Sequence, residues 1–279
     1  MTDFGETPQP SDADIKIRDP LEEALKELKL GVKLTRRPTE HIHKNDEDYG
    51  SILMLITPDM VSSNRRRVGM IVGNGAILSS LPDIPAETLI VTDYNPFIHE
   101  WTEYTQKMLS EASSPEDYRI RVYSDQNPLY TELTKLSLKP EQGLEEEMKD
   151  LGAKHFLTSP QRFSQCKLAL LDKKIISMTV NLTDAESLSR LRVTLEGENA
   201  EITFANFTNV WEHAGDSLAT AIPNLPINEN AIILHSSRAY TERGNPKMMG
   251  ICRGVDAYIN IARPSNSFWR QYRQQGRRY

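Results

Sequence analysis

Cysteine is scarce in this 279-residue chain: only Cys166 and Cys252 occur, far apart and without the close pairing a zinc site requires. That excludes a disulfide-stapled scaffold and reads as two reduced thiols of a cytosolic protein, ahead of a disulfide between them. No apolar run approaches the length of a membrane span, so no membrane partner is expected. The N-terminus lacks the basic-then-apolar pattern of a cleaved secretory signal, and the expected setting is cytoplasmic. No fixed-period repeat is visible, which excludes solenoids and propellers. Positive charge is also short. A net charge of -6 and a sequence pI near 5.6 argue against a whole-protein phosphate-binding surface and disfavour nucleic acid as a partner.

What is present describes an ordinary globular chain. Hydrophobic residues make up 38% and charged residues 26%, enough apolar material for one large domain or two small ones, with a mean hydropathy of -0.51 reflecting polar surface. The organising stretch runs from Val68 to Asn95. Val68, Met70, Ile71 and Val72 form a near-continuous apolar run of the kind a buried parallel strand needs. Gly73, Asn74 and Gly75 follow it, and these glycines let the chain turn sharply and let a ligand approach bare backbone. A short helix is expected over 76–81, ended by Pro82 and Pro85. A second strand over 88–92 leads into Asp93, Tyr94 and Asn95, and Asp93 stands where a ribose hydroxyl could be bound.

The rest of the chain divides around that stretch. Residues 1–20 are polar and Pro-rich, a disordered leader. Asp19-Pro20 reads as a helix start, with Leu21, Ala24, Leu25 and Leu28 as its apolar stripe. Arg36 to Tyr49 is a polar connection; its His41 and His43 could ligate a metal, but a solvated loop is the stronger reading and no metal is assigned. The triplet Arg65 to Arg67 could meet phosphate or simply be solvated. Residues 97–112 form a helix with Phe97, Trp101, Tyr104 and Met108 on its core face. Over 113–159 the pattern weakens: Pro115, Asn127-Pro128 and Pro140 break it, and Glu145 to Glu147 mark a solvated face. This reads as a largely helical insertion or lid between 21–112 and 160–265. Beyond it come a helix over 160–171, strands over 174–180, 201–205 and 231–234, helices over 185–195 and 211–221, and a further strand pair or edge over 250–261. Residues 266–279 are a basic tail with interleaved aromatics that could touch nucleic acid or an acidic partner, with a flexible solvated tail the stronger reading on an acidic chain.

Strands alternating with helices predict an α/β three-layer sandwich with a mostly parallel, Rossmann-like sheet. Ligands of such sheets lie outside the carboxyl ends of the strands, where Gly73, Asp93, Asp184, Asn206 and His235 are expected to fall. Each has an alternative role, and Gly73 with Gly75 can be a plain turn after a strand. Asp93 and Asp184 are also good helix caps, Asn206 and Asn209 can tie down a loop, and His213 or His235 can be packed or solvated.

In its order of elements the chain resembles the class I S-adenosylmethionine-dependent methyltransferases. The matching pieces are Val72-Gly73-Asn74-Gly75, Asp93, Asn181-Leu182-Thr183-Asp184 and Ala205-Asn206-Phe207-Thr208-Asn209, over roughly Ser51 to Ile261 less the insertion. The resemblance implies S-adenosylmethionine as cofactor, held by Gly73, Asn74, Gly75, Asp93, Tyr94, Asp184, Asn206 and Phe207. If the reaction is methyl transfer, Asn206 is the residue expected to orient the nucleophile, and His213, or else His235, to accept a proton from a hydroxyl or amine acceptor. Trp211 and Phe207 would line the pocket of a small-molecule or protein acceptor, or contact the cationic sulfonium. The sequence departs from the pattern in three places: Ile77 stands where a third glycine is expected, Met70 and Ile71 replace an acid before the turn, and the interval from Asp93 to Asp184 is long. Two other functions stay open, a non-catalytic methyltransferase-like binding module and a nicotinamide-dependent oxidoreductase. The oligomeric state is not legible.

Overall fold

The computed structural model describes residues 19–28, 30, 34–39, 42, 49–74, 76–208, 210, 216–238 and 247–262. The leader before Asp19, the His41 and His43 pair, Gly75, Trp211, His213 and the basic tail lie outside the described residues. In chain order the elements are α1 (Pro20–Glu27), α2 (Tyr49–Leu53), β1 (Arg66–Val72), α3 (Ile77–Ser80), β2 (Thr88–Thr92), α4 (Pro96–Glu111) and α5 (Pro115–Val122). Then follow α6 (Pro128–Lys135), α7 (Pro140–Leu151), α8 (Pro160–Asp172), β3 (Lys174–Ser177), α9 (Ala185–Gly197) and β4 (Ala200–Asn206). The described chain ends with α10 (Asp216–Ala221), β5 (Ile227–Arg238), β6 (Lys247–Arg253) and α11 (Gly254–Ala262).

The sheet has six strands in the order β3-β2-β1-β4-β5-β6. β1 to β5 are parallel, and β6 runs antiparallel along β5. Both faces are covered, as parallel sheets require. Alternation along the strands sends Leu89, Val91 and Ile71 to one face and Val68, Met70 and Ile90 to the other. The first face is packed by α2 to α8, with Phe97, Trp101, Tyr118, Leu133, Leu144 and Phe163 in one cluster. The second is packed by α1, α9, α10 and α11 through Leu21, Leu188, Leu191, Leu218 and Tyr258. The expected three-layer α/β architecture is therefore what the chain adopts. Cys166 and Cys252 are free thiols in clusters on opposite faces.

One glycine inside a strand has a packing reason. A Cβ at Gly69 would lie 2.5 Å from Leu89 Cδ2 and 3.3 Å from the Ala86 methyl, so β1 and its neighbours approach closely there.

Three local readings change. The prolines that seemed to break 113–159 open helices instead. Pro115, Pro128 and Pro140 each sit in the first turn, where a missing N–H costs nothing, and Ser114 and Asn127 cap α5 and α6. The helices they start share the main cluster through Tyr118, Val122, Leu133, Leu144 and Leu151. Glu147 is not on a solvated face. Helical spacing puts it inward with Leu144 and Leu151, 5% exposed, with its carboxylate 3.3 Å from the buried His155 ring. Finally, of the strand pair or edge expected over 250–261, the edge is present as the end of β6, and α11 follows it where a second strand would lie.

Candidate functional site

Because β1 to β5 are parallel, their carboxyl ends share one edge, and the strand-end residues singled out in the sequence can be placed along it. Val72 pairs with Thr92 in the last register step of β1 and β2, so Gly73 and Asp93 are the next residues on each strand. The Gly73 N–H continues the ladder to the Thr92 carbonyl at 2.8 Å. Gly73 has a left-handed φ of 73°, which costs glycine nothing and an L-residue something. A Cβ added there would point at Asp93, 3.7 Å from Oδ2. Bare backbone and a half-buried carboxylate thus border the same small space.

Asp93 is held in place from several sides. Its Oδ1 accepts the Asn95 N–H at 2.7 Å, and Asn95 in turn caps α4 by accepting from the Phe97 N–H at 3.1 Å. The His99 ring, one turn into α4, lies with Nε2 3.0 Å from the Asp93 carbonyl oxygen and 3.5 Å from Thr179 Oγ1. Its Nδ1 is buried with no hydrogen-bond partner among the described residues. His99 was not singled out in the sequence. The usable signal was the cap: a helix that begins at Pro96 places residue 99 back over the strand end.

Tyr94 links the second strand end to the third. Its hydroxyl donates to Asn181 Oδ1 at 2.6 Å, which also accepts from the Thr183 N–H at 3.0 Å and its Oγ1 at 2.8 Å. The ring is 52% exposed, so it presents a face at this edge. Partial burial, then the nearby Asp184 and Asp93 carboxylates, push its phenol up from the ordinary value.

The other expected site residues are engaged locally. Asn74 turns its side chain away from Asp93: Nδ2 donates to the Ile42 carbonyl and Oδ1 accepts from Thr102 Oγ1 at 3.3 Å. Asp184 lies beyond β3 as the cap of α9, accepting from the Glu186 and Ser187 N–H groups at 3.3 and 3.2 Å. The Ser187 hydroxyl holds its carboxyl below the ordinary value. Asn206 ends β4 at 2% exposure, and its Oδ1 accepts from the Thr208 N–H at 3.2 Å and Oγ1 at 2.7 Å. That leaves its Nδ2 as the end it can offer. Phe207 is 1% exposed and packs on Tyr258, ring centres 5.6 Å apart, so its ring belongs to the core. His235 lies one residue past Leu234, the partner of Asn206. Burial lowers its pKa, and its Nδ1 has no hydrogen-bond partner among the described residues.

A hollow of about 560 Å³ opens at the other edge of the sheet, lined by Arg67, Asp83, Glu87, Arg162 and Lys173 among others. Most of its charged groups are engaged within the protein. Arg162 donates to the Ser79 carbonyl at 2.6 Å and pairs with Asp83, Arg67 pairs with Glu87 at 3.0 Å, and Lys173 donates to the Ile84 and Ala86 carbonyls. Of the arginine triplet, Arg66 pairs with Asp19 and Arg67 with Glu87, while Arg65 is exposed. Among the described residues no group of His, Cys, Asp and Glu could hold a metal ion, and no helix is long and apolar enough to cross a membrane.

No protein-family model matches the chain, and no curated protein matches it. Among solved structures it is similar to the rRNA methyltransferase aviRa from Streptomyces viridochromogenes. One structure of that protein, at 2.4 Å, matches with a TM-score of 0.41 and 13% identity, covering 77% of this chain and 86% of the other. A second, at 1.5 Å, matches with a TM-score of 0.40 and 13% identity, covering 80% and 93%. A likeness of this depth bears on neither substrate nor chemistry.

Proposed function

We propose that the protein is an S-adenosylmethionine-dependent methyltransferase whose cofactor lies across the carboxyl ends of β1 and β2. The observation that carries this reading is the pairing of Gly73 with Asp93. A left-handed, side-chain-free turn after the first strand faces a carboxylate at the end of the second, in a sheet whose order reverses at β1. Asp93 is the residue to accept hydrogen bonds from ribose hydroxyls, Gly73 to let the ligand lie against backbone, and the exposed Tyr94 ring to stack on adenine. Asn206 Nδ2 would orient the acceptor. His235, neutral at pH 7 because burial disfavours its charged form, is the described residue to take a proton.

The cofactor supplies an already activated methyl group, so the protein has to align the acceptor and exclude water. The acceptor in this reading is a small molecule or a group on a protein.

The nicotinamide alternative is weaker. α3 spans four residues, too short to set the aligned dipole of a full helix against a pyrophosphate. Isothermal calorimetry with S-adenosylmethionine and S-adenosylhomocysteine tests the proposal. Binding of either, weakened about tenfold or more (~1.4 kcal/mol or more) in Asp93→Ala, supports it. A folded protein that binds neither overturns it, and binding without turnover on any acceptor would favour the non-catalytic module.

A further inference from the structure

The segment 34–39 lies outside every helix and strand, with Leu34 to Arg37 exposed, yet it is tied down beside the proposed site. It runs between two buried anchors, Leu30 in the core of one sheet face and Ile42 in that of the other. Asn95 exchanges two hydrogen bonds with the main chain of Arg37: the Arg37 N–H donates to Oδ1 at 3.0 Å, and Nδ2 donates to the Arg37 carbonyl at 2.6 Å. Asn74 Nδ2 donates to the Ile42 carbonyl. The two asparagines follow Asp93 and Gly73 closely in sequence, so residue 37 of the strap is held beside Asp93, and Ile42, further along the chain, is held beside Gly73.

A third fastening uses the Arg36 side chain. Its guanidinium bonds the Glu100 carboxylate on α4 at 2.7 to 2.9 Å and the Glu132 carboxylate on α6 at 2.8 Å. It also lies 5.1 Å from the centre of the Phe97 ring. Arg36, Glu100 and Glu132 are all more than a third exposed, so each ion pair is weak and screened by salt. A bidentate network of this kind is specific in geometry and easily opened, which suits a latch and not a core contact.

We infer that residues 34–39 are a gate over the carboxyl edge of β1 and β2, and that Arg36 is its latch. This rests on the proposed adenosine site. A ligand bound at Asp93 would enter and leave by release of the Asn95 and Arg36 contacts. Those contacts are internal to the chain and involve no ligand atom, so in this reading they hold equally in the free and the bound protein. Weakening the latch therefore speeds entry and exit alike and leaves affinity nearly unchanged, whereas loss of an ordinary binding residue speeds exit alone.

The test is stopped-flow binding of S-adenosylhomocysteine to the full chain, wild type, Arg36→Ala and Glu132→Gln, with hydrogen exchange read at the Arg37 amide. Glu132→Gln leaves the strap sequence intact and serves if Arg36→Ala folds poorly. Association and dissociation rates should rise together, roughly three- to tenfold, with Kd within about twofold and faster exchange at Arg37. Raising salt should bring wild type towards the variants and leave the variants flat. An unchanged association rate, or unchanged exchange at Arg37 in both variants, overturns the gate while leaving the site intact. Failure of all three folded proteins to bind the probe removes the site, and the gate with it.

Discussion

Gly73 and Asp93 face each other across the carboxyl ends of β1 and β2, close enough that a methyl group added at 73 would sit 3.7 Å from the Asp93 carboxylate. Gly73→Ala therefore has two separable effects. The left-handed φ of 73° costs an alanine about 1–2 kcal/mol of stability, measurable by urea unfolding. The new methyl also occupies the space between turn and carboxylate, so ligand affinity should fall further than stability does. Calorimetry that finds affinity unchanged in a folded Gly73→Ala would show that this gap holds no ligand.

Asp19 joins α1 to the sheet. It caps the helix through the Leu21 N–H at 3.0 Å, pairs with Arg66 at 2.7 Å and also holds Lys174. Hydrogen bonding to Arg66, helped by Lys174 and the Leu21 N–H, holds its carboxyl well below the usual range against an opposing desolvation effect. With the folded value depressed, its contribution is complete above the unfolded carboxylate pKa of about 3.9 and fades as pH falls towards the folded value. Asp19→Ala should cost roughly 1–2 kcal/mol at pH 7 and flatten the acid limb of the stability curve below about pH 4. Asp19→Asn should retain the cap but flatten the same limb.

Much of this was readable because it is local. Capped helices, buried parallel strands and the glycine turn each leave a pattern within about ten residues, and the strand-end positions follow from direction alone. What escaped needed side-chain directions and partners that a one-dimensional pattern leaves open. Glu147 looks like one acid in a run of three, and only the position of its neighbours Leu144 and Leu151 turns it inward. Asp184 and Asn206 could be assigned either to caps and turns or to a ligand, and their partners had to be seen. The strap was invisible because Arg36 finds Glu100 and Glu132 across long stretches of chain, in a segment with no periodicity to read.

Close packing at Gly69 gives a steric prediction. A methyl there meets Leu89 Cδ2 at 2.5 Å, and Leu89 is fully buried, so its end has little room to move. Gly69→Ala should destabilise by about 1–3 kcal/mol. Combining it with Leu89→Ala should cost less than the sum of the two changes, as measured by chemical denaturation.

Asn127 tests how the 113–159 helices relate to the rest. It is fully buried, caps α6 through the Leu129 N–H at 3.0 Å and donates to the Val122 carbonyl at 2.7 Å. Asn127→Ala should cost about 1–2 kcal/mol. Because these helices share a cluster with the sheet, the loss should appear as a shift of the single global transition by circular dichroism. A separate early transition would mean that the segment unfolds as its own unit.

The position of α1 has a consequence for behaviour in concentrated solution. β3 is an outer strand of the sheet and only four residues long, and unpaired backbone at such a margin invites intermolecular strand pairing. Here Lys174 opens that strand and is drawn to Asp19 and Glu22 at the start of α1, so the first helix is pinned at one end of the margin. Detaching α1 would therefore be felt first as turbidity and self-association, before the interior of the protein gave way.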